Sequence, residues 1–373
     1  MVFGIKDVIE TADMPTGQGS PMWTGFESRR DAAAVAALRE GGGIILGKCT
    51  TAEFAFTEPR HQTRNPHDLN RTPGGSSSGS AAAVAAGFVH AALGTQVVGS
   101  TLRPASYCGC VGYKPSFGAL NRSGSYDHLS QSCIGIFANK VDEVTDIAGT
   151  IARIVGGDPG FKTFIPSQAA HISQKPGRLA ILKPAGWSML ESGMIAGFDA
   201  ACRHLANAGV EIITSAHHDG LANFEARLEP LRERSFAILD WELRWPLKSY
   251  RASASELVSK ALLDRLAHCE AAMTLGDYHD ALDWREELRS AFAELAEFDG
   301  FILPSATGAA PLGHDWTGDP AMNLPASTLG APAISLPILQ VEGLPLGIQL
   351  IAHVSRDEDL LKQARWIEEI SQK

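Results

Sequence analysis

The chain is predicted to be an α/β protein, and three observations carry the prediction. Helix-like and strand-like stretches alternate through the first part of the chain, amphipathic helices take over from about 221 to 297, and strands broken by Pro and Gly return from 298. With 373 residues and 45% hydrophobic content, the chain can bury a large core. No compositional break marks a linker and no internal repeat is visible, and the length allows one large domain or two ordinary ones.

In chain order, Asp31 is placed to cap a helix through AAAVAALREGGG, which Gly41 to Gly43 would end, and IILGK reads as a short buried strand. Ser78 or Ser80 could cap the next helix, AAAVAAGFVHAAL, ahead of the strand-like GTQVVGS. GRLAILK and VEIIT read as strands flanking the helix MIAGFDAACRHLANAG, which Gly209 stops. NFEARLEPLRERSFAILDWELR and LDWREELRSAFAELAEF carry the apolar stripe of amphipathic helices. DGFILPSA and APAISLPILQVEGLPLGIQLIA would complete the sheet, and the alternation as a whole favours a largely parallel one.

Composition narrows the function. Lys and Arg total 32 against 42 Asp and Glu, a net charge of -10, which argues against nucleic acid as a partner. The apolar runs are too short to span a bilayer and no leader pattern opens the chain, so no membrane partner and a cytoplasmic location are expected. The six cysteines form no disulfide framework, and Cys108-x-Cys110 has no second pair at zinc-finger spacing. His217-His218 lacks a third ligand at recognisable spacing, so no metal is expected. Trp241 and Trp245 read as packing residues of an amphipathic helix rather than as a ligand pocket.

The chemistry concentrates in two Gly-Ser stretches. GTQVVGSTLRPA (94–105) places Ser100 among glycines that let backbone N–H groups converge, the arrangement an acyl transfer needs to hold an oxyanion beside an attacking hydroxyl. No His stands in a nucleophile-elbow context, so the base must come from elsewhere. PGGSSSGSAAA (73–83) offers a second hydroxyl and GIKD offers Lys6, which together with Ser100 make a workable Lys-Ser-Ser relay. The bland alternative for 73–83 is a flexible Gly-Ser linker.

GIKDVIETADMPTGQGS, GKCTTAEFAF, RNPHDLNRTPGGSSSGSAAAVAAG, ALGTQVVGSTLRPASYCGCVGYKPSFG and GAPAISLPILQVEGLPLGIQLIA, taken in order, resemble the amidase signature family. The resemblance implies a single α/β/α domain on a large, mixed, twisted sheet covered by helices. Its motif-bearing core would be 1–155, its variable helical cap about 221–297, and its sheet-completing segment 298–373. It also implies Lys6 as general base, Ser76 as bridging serine after a cis Gly75-Ser76 bond, and Ser100 as acyl-forming nucleophile, hydrogen-bonded in a chain. The N–H groups of Val97, Val98, Gly99 and Ser100 would form the oxyanion hole, and the loop at 73–78 would then be a shaped one. The expected activity is hydrolysis of a small carboxamide to carboxylate and ammonia, without a cofactor, with a homodimer left open.

Where many members read G-T-D-x-G-G-S-x-R, this chain has Gln96 for the Asp, Val98 for a Gly, and its arginine at 103, one place later. The Gln and the shifted arginine resemble the malonamidase-like subgroup, and Arg103 could hold a substrate carboxylate and select a short acid amide; a structural ion pair or a carbonyl-binding role for Arg103 is the alternative. The family's leading helical segment has no counterpart before GIKD, so exposed apolar surface near residues 1–10 and low turnover are expected. Two rival readings stand beside hydrolysis: the amidase component of a tRNA-dependent amidotransferase, and an inactive homologue.

Overall fold

The computed structural model describes residues 1–56 and 58–372. Its first half runs β1 (Val2–Lys6), α1 (Ala33–Glu40), β2 (Ile44–Cys49), α2 (Ser78–Ala85), β3 (Ala91–Gln96), α3 (Leu102–Cys108), β4 (Val111–Lys114), β5 (Cys133–Ala138), α4 (Val141–Val155), β6 (Arg178–Ile181) and α5 (Ser192–Asn207). There follow β7 (Glu211–Ile213), α6 (Asp219–Arg227), α7 (Leu231–Ala254), α8 (Lys260–Ala272), α9 (Leu275–Ala293), β8 (Gly300–Pro304), α10 (Leu324–Leu329), β9 (Ala333–Val341), β10 (Leu344–Ile351) and α11 (Asp357–Ser371). One ten-stranded sheet, in the order β2-β1-β3-β5-β4-β9-β10-β8-β6-β7, joins all the strands into a single domain.

The sheet is mixed, as the family resemblance implies, and not largely parallel as the alternation suggests. Parallel pairing is confined to β1 with β2 and β3, and to β6 with β7 and β8. From β3 through β5, β4, β9 and β10 to β8 every pair is antiparallel. Strands such as β5 are buried along their whole length, and a continuous apolar run carries no direction. The β9-β10 hairpin turns at Glu342-Gly343, both with positive φ, which is the backbone a tight two-residue turn demands.

Helices cover both faces. Val35 and Leu38 of α1, Val144 and Ile151 of α4, Phe198 of α5 and Leu360 of α11 pack with Ile5, Leu93 and Ile136 in one core. Leu221 of α6, Leu231 of α7, Phe292 of α9 and Leu324 of α10 pack with Phe301 and Leu346 in another. Among the described residues no helix is long and apolar enough to cross a membrane, and the six cysteines are free and buried.

Several local expectations shift. Asp31 does not cap α1, whose N-cap is Ala32; its carboxylate accepts from Ala12 N–H (2.7 Å) and pairs with Arg39. Neither Ser78 nor Ser80 caps α2: Ser78 Oγ donates to Gly74 O (2.7 Å) and Ser80 Oγ to Leu93 O (3.0 Å), tying the helix to the loop before it and the strand after it. Helix α2 stops at Ala85 because Gly87 takes a φ of 73°, so the tail of the predicted helix becomes β3. Strand β2 is a sheet edge with Ile44 62% and Leu46 60% exposed, not a buried strand. Phe3, Ile5, Val8 and Ile9 are buried and β1 is paired on both sides, so apolar exposure near the start falls on Met1 and β2. His218 caps α6 through Nδ1, which accepts from Leu221 N–H (3.1 Å).

Candidate active site

Strands β1 and β3 lie side by side and parallel, so Lys6 at the end of one comes next to Thr95 near the end of the other. Lys6 is fully buried; its Nζ donates to Thr95 Oγ1 (2.7 Å) and to Ser76 Oγ (2.8 Å). Burial disfavours the ammonium form and pulls its pKa from 10.5 down to about 7, against a smaller upward pull from the negative charge of Asp127. An amine so placed is neutral for a large part of the time at neutral pH, which a base requires.

Ser76 sits in a shaped loop, not in a flexible linker. The Gly75-Ser76 peptide is cis, as the resemblance implies, and Gly74 has a φ of 80°. A side chain at Gly75 would meet Thr317 Cγ2 at 2.6 Å. Backbone and side chains fasten every turn of this loop: Ala52 N–H donates to Ser76 O (3.1 Å), Arg103 Nη2 to Gly75 O (2.8 Å) and Ser77 Oγ to Thr95 O (3.2 Å).

After β3 the chain turns through Val97, Val98, Gly99 and Ser100 into α3. Among the described residues none of these four N–H groups has an acceptor, which leaves them free to bind an oxyanion. Val98 has no positive φ, so a side chain fits where many amidases have Gly. Gln96 holds the turn from below: its Oε1 accepts from Thr101 N–H (2.9 Å) and Leu102 N–H (3.0 Å). Its Nε2 donates to Ser327 Oγ (3.0 Å), whose own hydroxyl donates to Val98 O (3.2 Å). The amide thus supplies the acceptor an Asp would and adds a donor that reaches α10.

Lys6 and Ser76 are brought together, but no hydrogen bond joins Ser76 to Ser100. Ser100 lines a cavity of about 450 Å³, whereas Ser76 lies behind it with Lys6. The expected chain is therefore made in its first link only. Arg103 lines the same cavity, yet it is 3% exposed and donates from Nε to Thr317 O (2.8 Å) and from Nη2 to Gly75 O. Those bonds match the carbonyl-binding alternative for this residue; among the described residues Nη1 has no partner.

Sequence reasoning passed over Thr95, Asp127, Thr317, Asn323 and Ser327, and it set aside Trp245, which borders the cavity. Thr95 stood inside a quoted motif; the others could be placed only by knowing which distant segments return to the site. Asn323 matters through Gly99. A Cβ at Gly99 would lie 2.7 Å from Arg103 Nη1 and 2.8 Å from Asn323 Oδ1, and both side chains are fixed by bonds to carbonyls. Gly99→Ala is expected to fold but to displace the turn, lowering kcat by about 10²- to 10³-fold, the usual effect of losing an oxyanion donor. Steady-state kinetics beside a melting curve check this; an unchanged kcat would show that the turn does not bind the oxyanion.

The fold and these adjoining strand ends define an amidase architecture. The chain belongs to the amidase family, whose sequence profile matches residues 1–361. It is 32% identical, over 98% of this chain and 83% of the other, to the A-type component of the glutamyl-tRNA(Gln) amidotransferase of Koribacter versatilis (strain Ellin345). A crystal structure of an amidase superposes with a TM-score of 0.85 at 25% identity, over 99% of this chain and 84% of that one. The 6-aminohexanoate cyclic dimer hydrolase, solved with substrate, superposes with a TM-score of 0.82 at 25% identity, over 100% and 85%.

Proposed function

We propose that the chain hydrolyses a carboxamide to a carboxylate and ammonia through an acyl-enzyme on Ser100. The observation that supports this most is Lys6, buried, held at near-neutral pKa and 2.8 Å from Ser76 Oγ. With Lys6 neutral that pair runs in reverse, Ser76 Oγ–H donating to Nζ. Ser100 Oγ attacks the carbonyl carbon, its proton passes to Ser76 Oγ, and the proton of Ser76 passes to Lys6. The link between the serines must shorten in the transition state, as such links commonly do in resting sites. The N–H groups of Val97 to Ser100 receive the oxyanion. Collapse breaks the C–N bond, Lys6 returns its proton through Ser76 to the departing nitrogen, and ammonia leaves. Water then attacks the ester, gives its proton to the same relay, and releases the acid from Ser100.

The 32% identity to a component of a glutamyl-tRNA(Gln) amidotransferase supports a second reading, in which ammonia made here is passed to a partner. Ammonia release by the purified chain from a panel containing glutamine and simple primary amides decides between them. Turnover of simple amides by the chain alone supports the hydrolase; release confined to glutamine, or appearing only with partner chains, supports the second reading.

A further inference from the structure

The walls of the cavity say what kind of acyl group fits. Phe236, Leu239, Leu243 and Leu247 of α7 face it from one side, Phe54 and Phe56 from another, with Val97 and Val98 beside the nucleophile. Trp245 and Trp316 border it while 75% and 53% exposed, so two large aromatic faces stand at its mouth. At about 450 Å³ the space is several times what a short acid amide needs and lies within the usual range for drug-sized ligands.

The charged groups around this space are mostly spoken for. Arg232 is paired with Asp319, and Arg265 is paired with Asp240 while lying 4.4 Å over the Phe56 ring. Glu242 accepts from Ser130 N–H (2.8 Å) and Tyr278 Oη (3.1 Å). Arg103 is bound to two carbonyls. Asp127 differs: it lines the cavity with Ser100, is 6% exposed, and its carboxylate has no hydrogen bond or ion pair among the described residues. A substrate carboxylate entering here would lose water, meet apolar walls and face a like charge, and among the described residues lining the cavity the unpartnered cationic group is one buried guanidinium nitrogen of Arg103.

We infer that the site takes amides with a large apolar acyl group, arylalkyl in size and uncharged or cationic, and that Asp127 and the α7 wall exclude amides bearing a carboxylate. This rests on the hydrolytic reading above, and it departs from the short acid amide that the motif resemblance suggests. A primary amide has no large group but its acyl part, so the acyl part must fill the cavity.

The test compares kcat/KM for 3-phenylpropionamide, acetamide and succinamate at pH 9, where Lys6 is neutral. We expect 3-phenylpropionamide to exceed each of the other two by about 100-fold or more. Trp245→Ala, at an exposed position on the rim of the cavity, should raise KM for 3-phenylpropionamide several-fold. Asp127→Asn should narrow the discrimination against succinamate about tenfold. Equal turnover of the three amides, or a preference for succinamate, overturns the inference. Calorimetric binding to Ser100→Ala separates this failure from that of the hydrolytic reading. Selective binding of 3-phenylpropionamide without turnover by the native chain would sink hydrolysis and leave the pocket assignment standing; turnover without selectivity sinks the pocket assignment alone.

Discussion

Ser100→Ala is expected to lower kcat/KM by at least about 10⁴-fold, and by as much as about 10⁶-fold, because it removes the atom that bonds to the substrate. What survives would come from the N–H groups of Val97 to Ser100 and from binding alone. Stability should barely change, within about 0.5 kcal/mol, since the Ser100 hydroxyl makes no hydrogen bond among the described residues. Ser76→Ala is the informative companion. It keeps the proposed nucleophile but cuts the path to Lys6, so a loss of about 10²- to 10⁴-fold is expected. It also takes one of two acceptors from a fully buried Nζ, so a lower melting temperature should accompany it. Intact-mass labelling with a fluorophosphonate distinguishes the two serines: no adduct on Ser100→Ala, slow adduct formation on Ser76→Ala. Equal labelling of both variants would place the nucleophile elsewhere.

The candidate triad was legible because each member sits in a short stretch whose glycines are tied to its geometry. Gly74 and Gly75 announce the loop of Ser76, and Gly99 announces the turn of Ser100; the backbone requirement and the chemistry share a few consecutive residues. Lys6 is read with them from the GIKD stretch and the family resemblance; the β1–β3 pairing that carries it to Ser76 is contained in no local pattern. Distance in sequence hid the rest. Thr317, Asn323 and Ser327 support Arg103, Gly99 and Val98 from more than 200 residues away, and single polar residues in Pro- and Gly-broken segments carry no signal of their own. Strand direction was misread for a physical reason, since strands buried on both faces look alike whichever way their neighbours run. The helix caps failed for another: Ser78, Ser80 and Asp31 are short polar side chains with several acceptors or donors within reach, and a carbonyl of the preceding loop for Ser78 and distant backbone groups for Ser80 and Asp31 outcompeted the helix ends.

Lys6→Met should abolish turnover, by at least about 10³-fold, without lowering the melting temperature. The side chains are close in volume, and Met needs no proton removed to stay in a dry site. For lysine, the gap between 10.5 and about 7 corresponds to a penalty on the order of 5 kcal/mol against the charged form, partly offset by the bonds to Thr95 and Ser76. The sign follows from proton counting. Between about 7 and 10.5 the unfolded chain keeps the Lys6 proton while the folded chain has released it, so stability rises with pH across that window and is flat with respect to this group below it. The stability gained by Lys6→Met over the native chain should therefore be greatest below about pH 7 and shrink as pH approaches 10.5. Activity follows the same proton in the opposite role. The base works only when neutral, so kcat/KM should fall about tenfold per unit below a bend near pH 7 and level off above it. Asp127→Asn removes the negative charge that favours the ammonium form, and the bend should move to lower pH. A profile that is flat from pH 5 to 9, or a bend that moves upward in Asp127→Asn, would take the role of base away from Lys6.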